Sequence, residues 1–374
     1  MRLYDTASQA VIPFEPGHVV TMYTCGITPY DSTHLGHAAT YLSYDVLQRR
    51  LRDLGHETRC VRNVTDVDDS LLGKARELGV HYLDLAAGEI ARFDNDMRTL
   101  EMIPSWSEPR ATSAIADIRG FIGMVLDAGF AYQAGGAVYF EVAKFPKFGQ
   151  VSHYGRDQML EYAAERGGNI TDPHKRDPLD FVLWQPSEPD EPSWETLWGP
   201  GRPGWHIECS ALCMRELDTT IDLHGGGADL IFPHHECEAA QSEAATGEPL
   251  VRHWMHQAMV RLDGEKMSKS LGNLVFVSEL AEKWDPRAIR LAVIEHHYRV
   301  PWEWDDTHMP RAQERLERWV AAGHGSGGLD SARAALDDDL DSTGAIEVID
   351  HAAASGLGVS EAAALLGVNV DLSI

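Results

Sequence analysis

The apolar positions change period along the chain, and those changes divide it. Val19-Val20-Thr21-Met22-Tyr23-Thr24 is a run of β-branched and aromatic residues bounded by turn formers. Such a run predicts a buried strand. A helical pattern then covers residues 37–54 and stops at Gly55, a common helix terminator. A second strand is predicted at Glu57–Val64, and another helix from about Asp68. Strand, helix and strand in that order predict a βαβ unit of a parallel sheet. Ala137-Val138-Tyr139-Phe140-Glu141-Val142 is again strand-like, but Pro173, Pro178, Pro186, Pro189 and Pro192 follow among many charges. That interruption reads as an insertion. The α/β pattern resumes over 204–217 and 253–260. Beyond it, Ala312, Leu316, Trp319 and Val320 fall on one helical face, with Pro310 suited to the first turn. Gly323–Gly328 reads as a flexible linker. The last segment is helical, with Ser360 as N-cap and Gly367 as C-cap. The expected units are 1–125, an insertion at 126–200, 201–275, and a helical region at 276–374.

Composition narrows the class. The 374 residues are 44% hydrophobic and 24% charged, which is ordinary for a globular chain. No stretch approaches the ~20 apolar residues of a membrane span, and the N-terminus lacks the apolar core of a secretory signal. Five scattered cysteines argue against a disulfide framework and for a reducing, cytoplasmic setting. The net charge of −26 argues against broad contact with a phosphate backbone.

Four segments carry candidate chemistry. Cys25-Gly26-Ile27-Thr28-Pro29-Tyr30 runs on to His34-Leu35-Gly36-His37, between a predicted strand and helix. Free N–H groups at a helix start suit phosphates, Gly36 allows close approach, and His34 and His37 can donate to phosphate oxygens. Lys266-Met267-Ser268-Lys269-Ser270 offers two lysines and two hydroxyls, a clamp for charge that develops on leaving phosphates. Asn63-Val64-Thr65 and Gly225-Gly226-Gly227-Ala228-Asp229 follow strands, where ligands sit in open α/β sheets. Cys25, Cys209 and His234 form a candidate set of metal ligands, with Glu238 a fourth. Glu238 lies four residues from His234 and shares its helical face; Cys237 is its rival. Cys60 and Cys213 read as buried thiols.

His34-Leu35-Gly36-His37 and the Lys266–Ser270 run together resemble the paired nucleotide motifs of class I aminoacyl-tRNA synthetases. The Cys25-Gly26 run, Trp205-His206-Ile207-Glu208-Cys209 and His234-His235-Glu236 resemble the cysteinyl-tRNA synthetase-like family, which includes the cysteine ligases of mycothiol synthesis. The form of Ile27–Tyr41, Glu165-Arg166-Gly167-Gly168, and His296-His297-Tyr298-Arg299 with Trp302-Glu303-Trp304 look ligase-like. Asn169-Ile170 stands where that family usually has Asp-Pro. The 104 residues after Ser270 leave little room for a domain that reads an anticodon. Glu238 points the other way, because it matches the fourth zinc ligand of the synthetase.

The resemblance implies a Rossmann-like α/β catalytic domain made of 1–125 and 201–275, a connective insertion and a C-terminal helical bundle. It implies a zinc ion on Cys25, Cys209, His234 and in one form Glu238, gripping substrate cysteine through sulfur. A soft ion separates cysteine from serine, which contact packing alone does weakly. ATP with Mg²⁺ is the implied co-substrate, and His34, His37, Lys266, Lys269 and Asp229 the catalytic groups. Contacts to ATP and cysteinyl-adenylate are implied for Cys25, Gly26, Ile27, Thr28, Gly36, Thr40, Asn63, Val64, Thr65, Trp205, Gly227, Ala228, Asp229, Val260, Lys266, Met267, Ser268, Lys269 and Ser270. The expected product is the amide of L-cysteine with the amine of glucosaminyl-inositol. Asp229 and His34 are the candidate bases. The alternatives are a cysteinyl-tRNA synthetase and an inactive paralogue that binds RNA or regulates. The ligase reading expects a monomer with small-molecule partners, no tRNA and no membrane.

Overall fold

A computed structural model describes residues 1–30, 34–267 and 272–371 of the chain. The β-branched run forms the strand Val19–Ile27, and it lies inside a four-stranded parallel sheet. Glu57–Val64 flanks it on one side and Leu223–Gly227 on the other, with Trp254–Gln257 at the edge. The helix Leu35–Asp53 connects the first two strands. It begins two residues before the predicted start, because His34 is its cap: the ring Nδ1 accepts the Gly36 amide. Asp68 caps the next helix, Asp69–Leu78, in the same way.

The sheet is interrupted in sequence between Val64 and Leu223. Ala131–Ala134, Ala137–Phe140, Phe181–Gln185 and Arg202–Pro203 build a separate antiparallel sheet within that interval. The chain then returns through the helix Trp205–Glu216 to the parallel sheet. This path brings Cys209, on the returning helix, back to Cys25 at the end of the central strand.

The C-terminal helices are not a separate body. Leu316, Trp319, Leu336 and Ile349 share one apolar core with Leu42, Leu47 and Met22. The helix His308–Ala322 starts earlier than its proline suggested, with Pro310 third in the first turn. The glycine segment is packed rather than loose. The Gly327 amide donates to the Gly358 carbonyl at 2.8 Å, and the Gly325 amide to Ser360 Oγ at 3.1 Å. Two backbones meet there: a Cβ on Gly358 would lie 1.9 Å from the His324 carbonyl oxygen. Ser360 therefore fastens this crossing, and Val359 takes the cap position. Among the described residues no helix is long and apolar enough to cross a membrane.

Candidate active site and metal centre

The carboxyl ends of the parallel strands open into a cavity of about 440 Å³. Cys25, Gly26, Ile27 and Thr28 line it from the central strand, His34, Gly36, His37 and Thr40 from the start of the long helix. Trp205, Gly227, Asp229, Val260 and Met267 complete the far wall. The fold thus gathers residues up to 242 positions apart around one space. Asn63, Val64, Thr65 and Ala228 do not line it. Asn63 instead holds the wall from behind: its Oδ1 accepts the Gly26 amide at 2.8 Å, and its Nδ2 donates to Thr65 Oγ1 at 3.2 Å. Gly26 permits this, since a Cβ there would sit 1.5 Å from the Asn63 carbonyl oxygen. Lys266 ends a short strand paired with Val260–Leu262. Ser268, Lys269 and Ser270 lie outside the described residues.

His34 and His37 stack, with ring centroids 3.9 Å apart. Because His34 Nδ1 accepts the Gly36 amide at 3.1 Å, the neutral ring carries its proton on Nε2, as a donor. The Asp229 carboxylate accepts no hydrogen bond from a described side chain or amide, so its oxygens remain available. Its backbone is held: Arg166 Nη1 donates to the carbonyls of Asp229 and Phe232.

Beneath the cavity lies a buried polar cluster. The ligand atoms of Cys25, Cys209, His234 and Glu238 all lie within 4.8 Å of one another, and all four residues are buried. Cys25 Sγ is 3.5 Å from Glu238 Oε1. Sulfur and oxygen that share one tetrahedral zinc ion sit roughly 3.5 Å apart, from bonds of about 2.3 and 2.0 Å. His234 Nε2 is 2.9 Å from Glu238 Oε1 but forms no hydrogen bond in that geometry. Four donors gathered within 4.8 Å of one another suit a shared cation. The S₂NO donor set suits a borderline-soft dication. Cys237 stands apart, against a different cavity.

The ionisations of the cluster are linked. A hydrogen bond from Cys25, against burial, holds the Cys209 thiol down to about 6. Burial opposes ionisation of Glu238, but His224 and His234 outweigh it and bring that carboxyl to about 2. Burial likewise opposes the His234 cation, and Glu238 with Cys209 raises it to about 10. In this buried site Glu238 and Cys209 are thus held toward their anions and His234 toward its cation. Supporting contacts orient the donors, as outer-shell groups do at metal centres. His206 Nδ1 bonds His234 Nδ1 at 2.8 Å, and Gln241 Nε2 donates to the His206 carbonyl at 2.7 Å. Trp205 stacks on His234 at 4.1 Å.

A second set of donors lies against the first. Cys25 and Glu238 also meet His224 and His235. His224 Nε2 bonds Glu238 Oε2 at 3.0 Å, and His235 Nε2 approaches Cys25 Sγ at 3.2 Å. His235 Nδ1 continues to His256 at 2.7 Å. Burial pushes His235 and His256 well down, His256 to about 3, so both rings are neutral. Spacing alone did not single out His224 or His256. Only the doublet His234-His235 offered a sign, because adjacent residues can face two neighbouring sites.

The family model for tRNA synthetases class I (C), catalytic domain, matches residues 11–314. The chain belongs to this family. Within it, the chain is 48% identical over 357 residues to the L-cysteine:1D-myo-inositol 2-amino-2-deoxy-alpha-D-glucopyranoside ligase of Nocardiopsis dassonvillei, covering 94% of this chain and 88% of that one. The enzyme of the same name from Thermobispora bispora is 48% identical over 383 residues, covering 98% and 95%. The synthetase fold is also shared with Mycobacterium tuberculosis methionyl-tRNA synthetase in complex with methionyl-adenylate. That match has a TM-score of 0.67 at 15% identity and covers 90% of this chain and 82% of that one. A putative arginyl-tRNA synthetase from Campylobacter jejuni gives a TM-score of 0.60 at 12% identity, covering 94% and 93%.

Proposed function

We propose that the chain is an AMP-forming ligase that joins L-cysteine to the amine of glucosaminyl-inositol. The observation that carries this reading is the buried Cys25/Cys209/His234/Glu238 cluster at the floor of a cavity walled by His34 and His37. A zinc ion on these donors would supply a soft Lewis acid that favours sulfur over oxygen. The rest of the chemistry needs no protein nucleophile. ATP with Mg²⁺ lies along the start of the long helix, where the His34 Nε2–H and the helix amides face phosphate oxygens. The carboxylate of cysteine attacks the α-phosphorus, a P–O bond forms, and pyrophosphate leaves. Positioning and charge stabilisation carry that step, and the Lys266 and Lys269 segment is assigned to the leaving charge. The amine of the acceptor then attacks the carbonyl carbon of the cysteinyl-adenylate, an amide C–N bond forms, and AMP leaves.

The attacking amine must give up a proton. His34 is poorly suited to take it, because its basic nitrogen is occupied by the Gly36 amide. Asp229 lines the cavity with a carboxylate open to the ligand, and we assign it the role of base. A paired acceptor assay tests the function. Purified protein is given ATP and cysteine with either glucosaminyl-inositol or tRNA. Amide formation without tRNA charging is expected. Charged tRNA with no amide contradicts the reading.

A further inference from the structure

Trp205 lines two cavities. The second, about 400 Å³, lies between the inserted antiparallel sheet and the catalytic body. Its carboxylates are already used by the protein. Asp180 accepts the Tyr132 hydroxyl and the Val142 amide, at 2.8 and 2.9 Å. Asp172 accepts the Tyr139 hydroxyl at 2.7 Å and the His174 amide at 2.9 Å. Asp69 pairs with Arg202.

The cationic donors of the same wall are not used up. Lys175 is half-buried there, and no described residue gives its ammonium a hydrogen bond or an ion pair. Arg166 Nε is buried with no hydrogen-bond partner, although Nη1 of the same group binds two carbonyls. Buried donors left unmet are costly, so the wall calls for a ligand rich in lone pairs. With Asp69 paired to Arg202, two carboxylates, Asp172 and Asp180, face two cations, so the wall carries no excess positive charge and suits neutral hydroxyls better than phosphate.

We propose that this cavity receives the hydroxyl-rich ring of the acceptor, the part remote from the reacting amine, and that Lys175 recognises it. The proposal rests on the amide-forming reading above. It explains the layout: the amine enters beside Trp205, and the cyclitol extends behind it into the insertion. It also gives the Glu165-Arg166-Gly167-Gly168 segment a place, since Arg166, Gly167 and Gly168 all line this cavity. Arg166 joins the acceptor cavity to the backbone of Asp229.

The test compares two acceptors, glucosaminyl-inositol and glucosamine, which has the amine but lacks the cyclitol. Lys175→Met should lower kcat/KM for glucosaminyl-inositol about 10-fold relative to glucosamine, the scale of one hydrogen bond from a charged donor. The loss should fall on KM, and Lys175→Arg should restore most of it. Lys175→Gln serves as a second variant, and cysteine-dependent pyrophosphate exchange on the same samples reports an intact fold. Equal losses with both acceptors, or no loss, overturn the cavity assignment alone. A wild-type protein that forms no amide overturns the functional reading, and this proposal with it.

Discussion

Two buried groups of charges show how differently a protein can treat ions away from water. Asp45 and Arg290 meet where the helix Leu35–Asp53 joins the C-terminal helices, and both side chains are almost fully buried. Every polar atom there is answered. Arg290 binds Asp45 and the carbonyls of Leu366 and Leu100, while Asp45 also accepts from Arg49 and the Ile103 amide. The Cys25/Cys209/His234/Glu238 group is as deeply buried, but its four donor atoms crowd within 4.8 Å of one another. A closed ion pair needs nothing from outside. A crowd of soft and hard donors suits a shared cation.

A third group sharpens the contrast. Glu295, His296 and His308 have metal-like spacing. Yet Glu295 is already paired with Arg311 and Arg315, at 2.6 and 2.5 Å. Spacing alone would rank it with the Cys25 cluster; its closed ion pairs rank it with Asp45 and Arg290.

The largest expected effect comes from opening the Cys25 cluster. Cys209→Ala should cut cysteine-dependent pyrophosphate exchange by at least about 100-fold, the upper range for disturbed metal sites. Exchange within a few-fold of wild type breaks the comparison. Asp45→Asn should lower stability by about 3–5 kcal/mol in urea unfolding, because Arg290 loses its buried partner. Metal content should not change with it. His206→Ala removes the support of His234 and should weaken metal affinity about 10-fold or more in competition with a chelator. His308→Ala should leave the metal content per chain unchanged; a lost ion would move that group into the ligand-binding class.

The smallest effect is a pH dependence. Burial, partly offset by Glu295, lowers His296 to about 4. An unfolded histidine titrates near 6.5, so below that pH the unfolded chain binds the extra proton. The contribution of His296 to stability is complete above about 6.5 and is lost as pH falls toward 4. His296→Gln should flatten the stability curve over that window, measured by urea unfolding at several pH values. An unchanged slope contradicts this.

Much of the fold was legible because its signals are local. The run Val19–Thr24 and the caps at Asp68 and Gly55 announce strand and helices without knowledge of their neighbours. The Gly323–Gly328 segment was misread for the opposite reason. Its composition suits a linker, but its order comes from a distant partner at Gly358. The site divides in the same way. Cys25, His34 and His37 stand in a motif and could be named. His224 and His256 have no motif; only the parallel register of their strands brings them to His235. Asn63 could be named but not placed: it braces Gly26 from behind instead of facing the cavity.

The central claim is that the Cys25/Cys209/His234/Glu238 cluster is a metal centre for substrate sulfur. Its most direct test is the zinc content of the purified protein, measured by elemental analysis beside Cys209→Ala. One zinc per chain in the wild type, and near none in the variant at equal fold content, is the expected result. A wild-type protein that is free of metal yet fully active in cysteine-dependent exchange contradicts the account.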